Sequence, residues 1–143
     1  MGLQRVHVTH TFAQPVERVF AFLSEHENLG AIFAPLRVKR VRDGATERNG
    51  VGSTRRLSLF GLLPFDETVT EVVPDERIVY TITNGGPMRD HEGVMAFSAG
   101  PNGGSRLDYR IRFSSPVPGL AAIVKHAVTR SITAGLKKVD RSA

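Results

Sequence analysis

Asp90, His91 and Glu92 occupy consecutive positions. On an extended strand, successive side chains point to opposite faces, so His91 faces away from both acids. If His91 shares the inward face of Met95 and Phe97, it is the best-placed general acid or base in the chain, because an unperturbed imidazole titrates near ~6.5. His10, in phase with Val8 and Phe12, is the second such candidate. For both, a core or rim histidine without catalytic duty is the competing reading. His7 and His10 lie three apart on a strand and face opposite ways, so they cannot hold one metal ion together. No other spacing of histidine with carboxylates suggests zinc or iron, and the absence of cysteine removes thiol catalysis, disulfides and Cys-ligated zinc. Gly50-Val51-Gly52 looks like the start of a dinucleotide fingerprint, but its flanks are strand-like and position 55 is arginine. A hairpin is the better reading, and no cofactor is expected.

Other polar groups fall on apolar faces. Tyr80 and Tyr109 sit in phase with Ile78, Ile82, Leu107 and Ile111. A buried phenol seeks a hydrogen bond, either with protein or with a ligand carbonyl or hydroxyl. Ser131 lies within an apolar helical stripe, where its hydroxyl either contacts a ligand or bonds back to the Ala127 carbonyl. Gly135, on the same stripe, is expected to let the helix approach the sheet closely. Arg55 and Glu67 fall on neighbouring hairpin strands with Leu57 and Val69. Facing inward they form a buried pair or polar anchors; facing outward, a surface ion pair of little energetic weight.

These side chains require a scaffold. Residues 5–12 alternate as a half-buried strand, Pro15 to Leu23 has helical spacing, and Ser24 with Glu27 forms a capping box for a second short helix ending at Pro35. From Leu36 the period becomes two, predicting strands over residues 36–42, 52–59, 65–73, 77–83, 89–98 and 105–113 separated by short Gly-, Asn- and Asp-rich turns. Pro118 to Val139 reads as one long helix about 33 Å in length. Its apolar residues, among them Ile123, Val124, Ala127, Val128, Ile132, Leu136 and Val139, fill more than half the wheel. A stripe that wide needs a second partner or a cavity as well as the sheet. The segment Leu59 to Phe65 is unusually apolar for a hairpin tip, which suggests a pocket lid, a dimer contact or a membrane-touching portal.

At 143 residues the chain predicts a single domain spanning residues 1–143, and 41% hydrophobic with 23% charged residues is the balance of an ordinary globular protein. No run is long and apolar enough to span a membrane and no signal-peptide pattern opens the chain, so a cytoplasmic location is expected. The net charge of +5 invites a nucleic-acid reading. The densest basic group, Arg37, Lys39, Arg40 and Arg42, has no interleaved aromatic for base stacking, so a solvated sheet edge is expected and nucleic acid is not.

The layout and several local motifs resemble the START-like, helix-grip superfamily, including the bacterial polyketide cyclase/dehydrase and lipid transport family. The motifs are Phe12-Ala13-Gln14-Pro15 leading to Val19-Phe20-Ala21-Phe22-Leu23, Gly50 to Arg55, Thr70 to Tyr80, and Gly103 to Leu107. The resemblance implies an α+β fold in which a curved seven-stranded antiparallel sheet wraps around the long C-terminal helix, with two short helices between strands 1 and 2. It also implies a deep apolar pocket between sheet and helix for a lipid, polyketide or sterol-like molecule. The residues expected to line that pocket are Tyr80, Tyr109, His91, Met95, Phe97, Ile111, Ile123, Val124, Ala127 and Ser131. Reversible binding of a hydrophobic small molecule is the leading expectation. The alternatives are a polyketide aromatase/cyclase or dehydratase, with His91 or a tyrosine moving the proton, and an interaction module of the chaperone-activator kind.

Overall fold

The computed structural model describes residues 2–142. Its strands are β1 (Gln4–Phe12), β2 (Arg37–Arg42), β3 (Thr54–Leu59), β4 (Leu62–Val73), β5 (Arg77–Gly85), β6 (Arg89–Ala99) and β7 (Ser105–Ser114). They form one antiparallel sheet in the order β1-β7-β6-β5-β4-β3-β2, so β2 to β7 run as a meander and β1 returns to pair with β7. Helix α1 (Val16–Ser24), a 3-10 turn (His26–Leu29) and the one-turn α2 (Gly30–Phe33) bridge the two edge strands, and α3 (Leu120–Ser142) follows β7. This is the α+β helix-grip arrangement.

Alternation drives the sheet. On β7, Leu107, Tyr109, Ile111 and Phe113 are buried while Arg106, Arg110 and Arg112 face water. Each such buried side chain contributes about 1.5–3 kcal/mol relative to exposure. Register shifts at Asp66/Glu67 and Val69/Glu71 on β4, and between Arg89 and Glu92 on β6, bend the strands and curl the sheet. The β5–β6 ladder is short, running from Arg77 opposite Ala96 to Tyr80 opposite Gly93. Gly93 is required there, because a Cβ would run into the Tyr80 ring.

The structure corrects the reading of α3. Ile123, 67% exposed, and Ala127 and Ala134 face solvent, so the buried stripe is narrower than the wheel suggests. The second partner is α2. Gly135 lies against the backbone of Ala31 and Ile32, not against the sheet. The Ser131 hydroxyl lies 2.8 Å from the Ile32 carbonyl and 2.7 Å from that of Ala34, and donates to these rather than to Ala127. Burial along α3 is uneven. Ile132, Leu136 and Val139 are fully buried, whereas in the first half Ala121 is buried and Val124 and Val128 only partly so. The expected capping box is also absent: Ser24 donates to the Phe20 carbonyl at 2.6 Å, and the second helix is reduced to the 3-10 turn and α2.

Candidate functional site

Where β5 and β6 part beyond Tyr80 and Gly93, the backbone of β5 needs other partners. His91 bonds to two groups of β5, the Thr81 hydroxyl and the backbone amide of Ile82. Its carbonyl accepts from the Thr81 hydroxyl at 2.6 Å, and its Nδ1 accepts from the Ile82 amide at 3.1 Å. That second bond fixes the tautomer, leaving the imidazole hydrogen on Nε2. The His91 side chain is 8% exposed and faces inward, the orientation on which its candidacy depends and which strand phase left open.

His91 lines a cavity of about 70 Å³ between this split and α3. The walls are apolar: Leu57 and Phe65, opposite each other on β3 and β4, with Ile82, Met88 and Phe113 from the sheet side and Val124 and Val128 from α3. Three polar residues interrupt them, Glu67, Tyr80 and His91. The volume is less than half the ~150 Å³ that holds benzene in an apolar protein cavity.

Glu67 is matched to Arg55, directly opposite it across β3–β4. Both are buried, which settles the open question of their phase in favour of the inward face. Arg55 Nε donates to Glu67 Oε1 at 2.8 Å; Nη2 is equally near the same oxygen but poorly aligned, and makes no hydrogen bond. The guanidinium carbon stands 4.5 Å from the Tyr80 ring centroid, a cation–π contact that helps offset the cost of the buried charge. Glu67 Oε2 is 3.7 Å from His91 Nε2, too far for a hydrogen bond. Behind these, the hydroxyls of Tyr80 and Tyr109 bond to each other.

Burial dominates the electrostatics. It pushes the His91 imidazole below its ordinary value; Glu67 opposes the change and Arg55 adds to it. It pushes both phenols up, further aided by Tyr109 and Glu67 at Tyr80 and by Glu67 at Tyr109. The site therefore presents a neutral histidine, two protonated phenols and a carboxylate compensated by arginine.

Of the expected lining residues, the structure brings Tyr80, His91, Ile111 and Val124 to the cavity wall. Tyr109 backs Tyr80, Met95 is buried opposite Tyr109, and Phe97 packs edge-on against Phe20 of α1 at 5.2 Å. Ile123, Ala127 and Ser131 lie elsewhere, as described above. His10 is remote from this cluster, its Nε2 3.4 Å from Asp140 at the far end of α3 and its ring against Phe12. The role of Met88 was missed because it sits at a loop end outside any periodic stretch. Arg40 also departs from expectation: it is not a solvated edge residue but bonds Glu25, Glu27 and Asn49, tying β2 to the 3-10 turn. Among the described residues no group of three His, Asp or Glu side chains gathers as a metal site would require. No described helix is long and apolar enough to cross a membrane.

A curled antiparallel sheet gripping a C-terminal helix, with an apolar cavity between them, defines a helix-grip protein. Residues 4–143 match the model of the polyketide cyclase/dehydrase and lipid transport family, and the chain belongs to that family. Solved structures share the fold. The Zhui aromatase/cyclase from Streptomyces sp. R1128 is similar with a TM-score of 0.74 and 18% identity, over 98% of this chain and 95% of that one. TTHA0849 from Thermus thermophilus gives 0.75 and 18%, over 96% and 95%. Ara h 8.0201 gives 0.69 and 15%, over 99% and 100%. No curated protein sequence matches the chain.

Proposed function

We propose that this protein reversibly binds a hydrophobic small molecule, a lipid, polyketide or sterol-like compound, in the cavity between the sheet and α3. The observation that carries the reading is a wall of apolar side chains interrupted only by Glu67, Tyr80 and His91, the composition of a small-molecule site. At about 70 Å³ the cavity holds only a few heavy atoms, so binding requires it to enlarge. The weakly buried first half of α3 is the wall that gives way, while Ile132, Leu136 and Val139 hold the second half in place. The tip between β3 and β4 exposes Phe60, Leu62 and Leu63 by 79%, 68% and 75%, directly beyond the cavity-lining pair Leu57 and Phe65. That supports a role for the tip as the rim through which an apolar ligand passes, or as the contact of a homodimer.

A cyclase or dehydratase is the second reading, favoured by a carboxylate and an imidazole side by side at an apolar cavity. Two features weigh against it. Nδ1 of His91 is committed to the Ile82 amide, leaving Nε2 as a donor rather than a base, and one oxygen of Glu67 is already taken up by Arg55. Native mass spectrometry of the protein purified from cells, followed by extraction, tests the first reading. A stoichiometric apolar adduct supports it; protein that is empty and shows no thermal shift with lipids, sterols or aromatic polyketides overturns it.

A further inference from the structure

Glu67 presents its two oxygens to different neighbours. Oε1 receives Arg55, and Oε2, facing His91 Nε2 across 3.7 Å, has no hydrogen bond of its own. His91 carries its hydrogen on Nε2, because Nδ1 accepts from the Ile82 amide. The cavity therefore contains one free acceptor and one free donor, separated by more than a hydrogen bond but by less than two. Both side chains are nine-tenths or more buried.

We propose, on the reading that this cavity binds an apolar molecule, that it selects ligands bearing a neutral hydroxyl, an alcohol or a phenol, and rejects the corresponding carboxylates. A single oxygen placed in the gap can lie within about 2.7–3.0 Å of both Oε2 and Nε2. To satisfy both, it must donate to the first and accept from the second. A hydroxyl does this with one atom. An ether or ketone accepts from His91 but leaves the Glu67 oxygen desolvated and unpaired. A carboxylate brings negative charge against Glu67, whose single counter-charge, Arg55, is already engaged. An ammonium group would meet the His91 N–H with no acceptor for it, and would stand near Arg55. Water fits the same geometry, so a ligand hydroxyl replaces it bond for bond while the apolar body is received by Leu57, Ile82, Met88 and Val128.

The test is isothermal titration with three probes of one skeleton: 2-naphthol, 2-methoxynaphthalene and 2-naphthoate. The full chain is expected to bind 2-naphthol at least about tenfold more tightly than either of the others. Glu67→Gln is expected to remove the discrimination against 2-naphthoate. Because that variant leaves Arg55 buried without its partner and so endangers folding, Arg55→Met/Glu67→Leu is measured alongside it. The double variant is expected to bind the three probes with affinities within about threefold of one another. Equal binding of all three by the wild-type chain, or a hydroxyl preference that survives in the double variant, overturns hydroxyl selection and leaves cavity binding standing. If none of the probes binds and no apolar molecule co-purifies, the cavity reading falls, and hydroxyl selection with it.

Discussion

His26 Nε2 lies 2.9 Å from the Ser53 hydroxyl, and that hydroxyl already donates to the Gly50 carbonyl at 2.6 Å. The hydrogen between imidazole and serine must therefore belong to Nε2, leaving Nδ1 as a buried acceptor with no partner. Burial, with Arg55 and Arg40 adding to it, pushes the His26 imidazole down to about 3. Protonating Nδ1 would keep the Nε2 bond to Ser53 but bury a charge beside Arg55 and Arg40 and leave the new N–H with no acceptor, so the fold holds the ring neutral.

Protonation of the unfolded chain then sets the pH dependence. With the folded value depressed, the stability held by neutral His26 is complete above the unfolded value of 6.5 and is lost progressively as pH falls toward about 3. Between pH ~7.5 and ~5 the expected loss is about 2 kcal/mol, and His91, shifted in the same direction, adds to it. The carboxylates with depressed values, Glu27, Asp66 and Asp108, contribute mainly below this window. Urea denaturation at several pH values checks this, and His26→Gln should flatten the slope. A pH-independent midpoint over the window would contradict it.

For the Arg55–Glu67 pair the expected outcome is asymmetric. Removing one partner, as in Glu67→Ala, should cost about 3–5 kcal/mol because it leaves a buried charge uncompensated. Replacing both with apolar residues, Arg55→Met/Glu67→Leu, should cost much less than the sum of the single changes. A double-mutant cycle by chemical denaturation reads the coupling directly, and simple additivity would show that the two charges do not depend on each other.

The same pair marks the limit of what the sequence discloses. Alternation located the strands well because Leu107, Tyr109, Ile111 and Phe113 bury one face and arginines occupy the other. On β3 and β4 the inward face itself carries Arg55 and Glu67, so polarity no longer distinguishes inside from outside. Their burial depends on pairing across strands and on the ring of Tyr80, contacts between residues distant in the chain. His91 was legible as a candidate only on condition that it faces inward; neither that phase nor its tautomer could be read from the sequence, the tautomer following from a ladder that ends early at Tyr80 and Gly93. Apolar residues such as Ile123 and Ala127 counted toward a buried stripe because a helical wheel records composition and carries no information on which faces find partners.

The contact between α2 and α3 should be intolerant of small changes. A methyl group at Gly135 would meet the Ala31 carbonyl and the Ile32 Cα, backbone atoms that cannot rotate away. Gly135→Ala is expected to destabilise by about 1–3 kcal/mol despite its better helix propensity. Ser131→Ala, which strips a donor from the carbonyls of Ile32 and Ala34, should cost about 1–2 kcal/mol. Thermal and urea unfolding of both variants provides the comparison; a stabilised Gly135→Ala would mean that the helices are free to separate.

The tip between β3 and β4 should behave in the opposite way. Phe60 and Leu63 combine high exposure with left-handed backbone, each with φ of 53°, a conformation that bulky side chains resist and asparagine or glycine accepts. Folding gains little from either residue. Phe60→Asn and Leu63→Asn are therefore expected to raise stability by about 0.5–1 kcal/mol. If these side chains serve ligand passage or pairing between copies, the same variants should also slow the uptake of a hydrophobic fluorescent probe or reduce self-association in sedimentation. Stability that rises while one of these falls would identify the tip as a feature kept at the expense of the fold, whereas a clear loss of stability would make Phe60 and Leu63 part of the core.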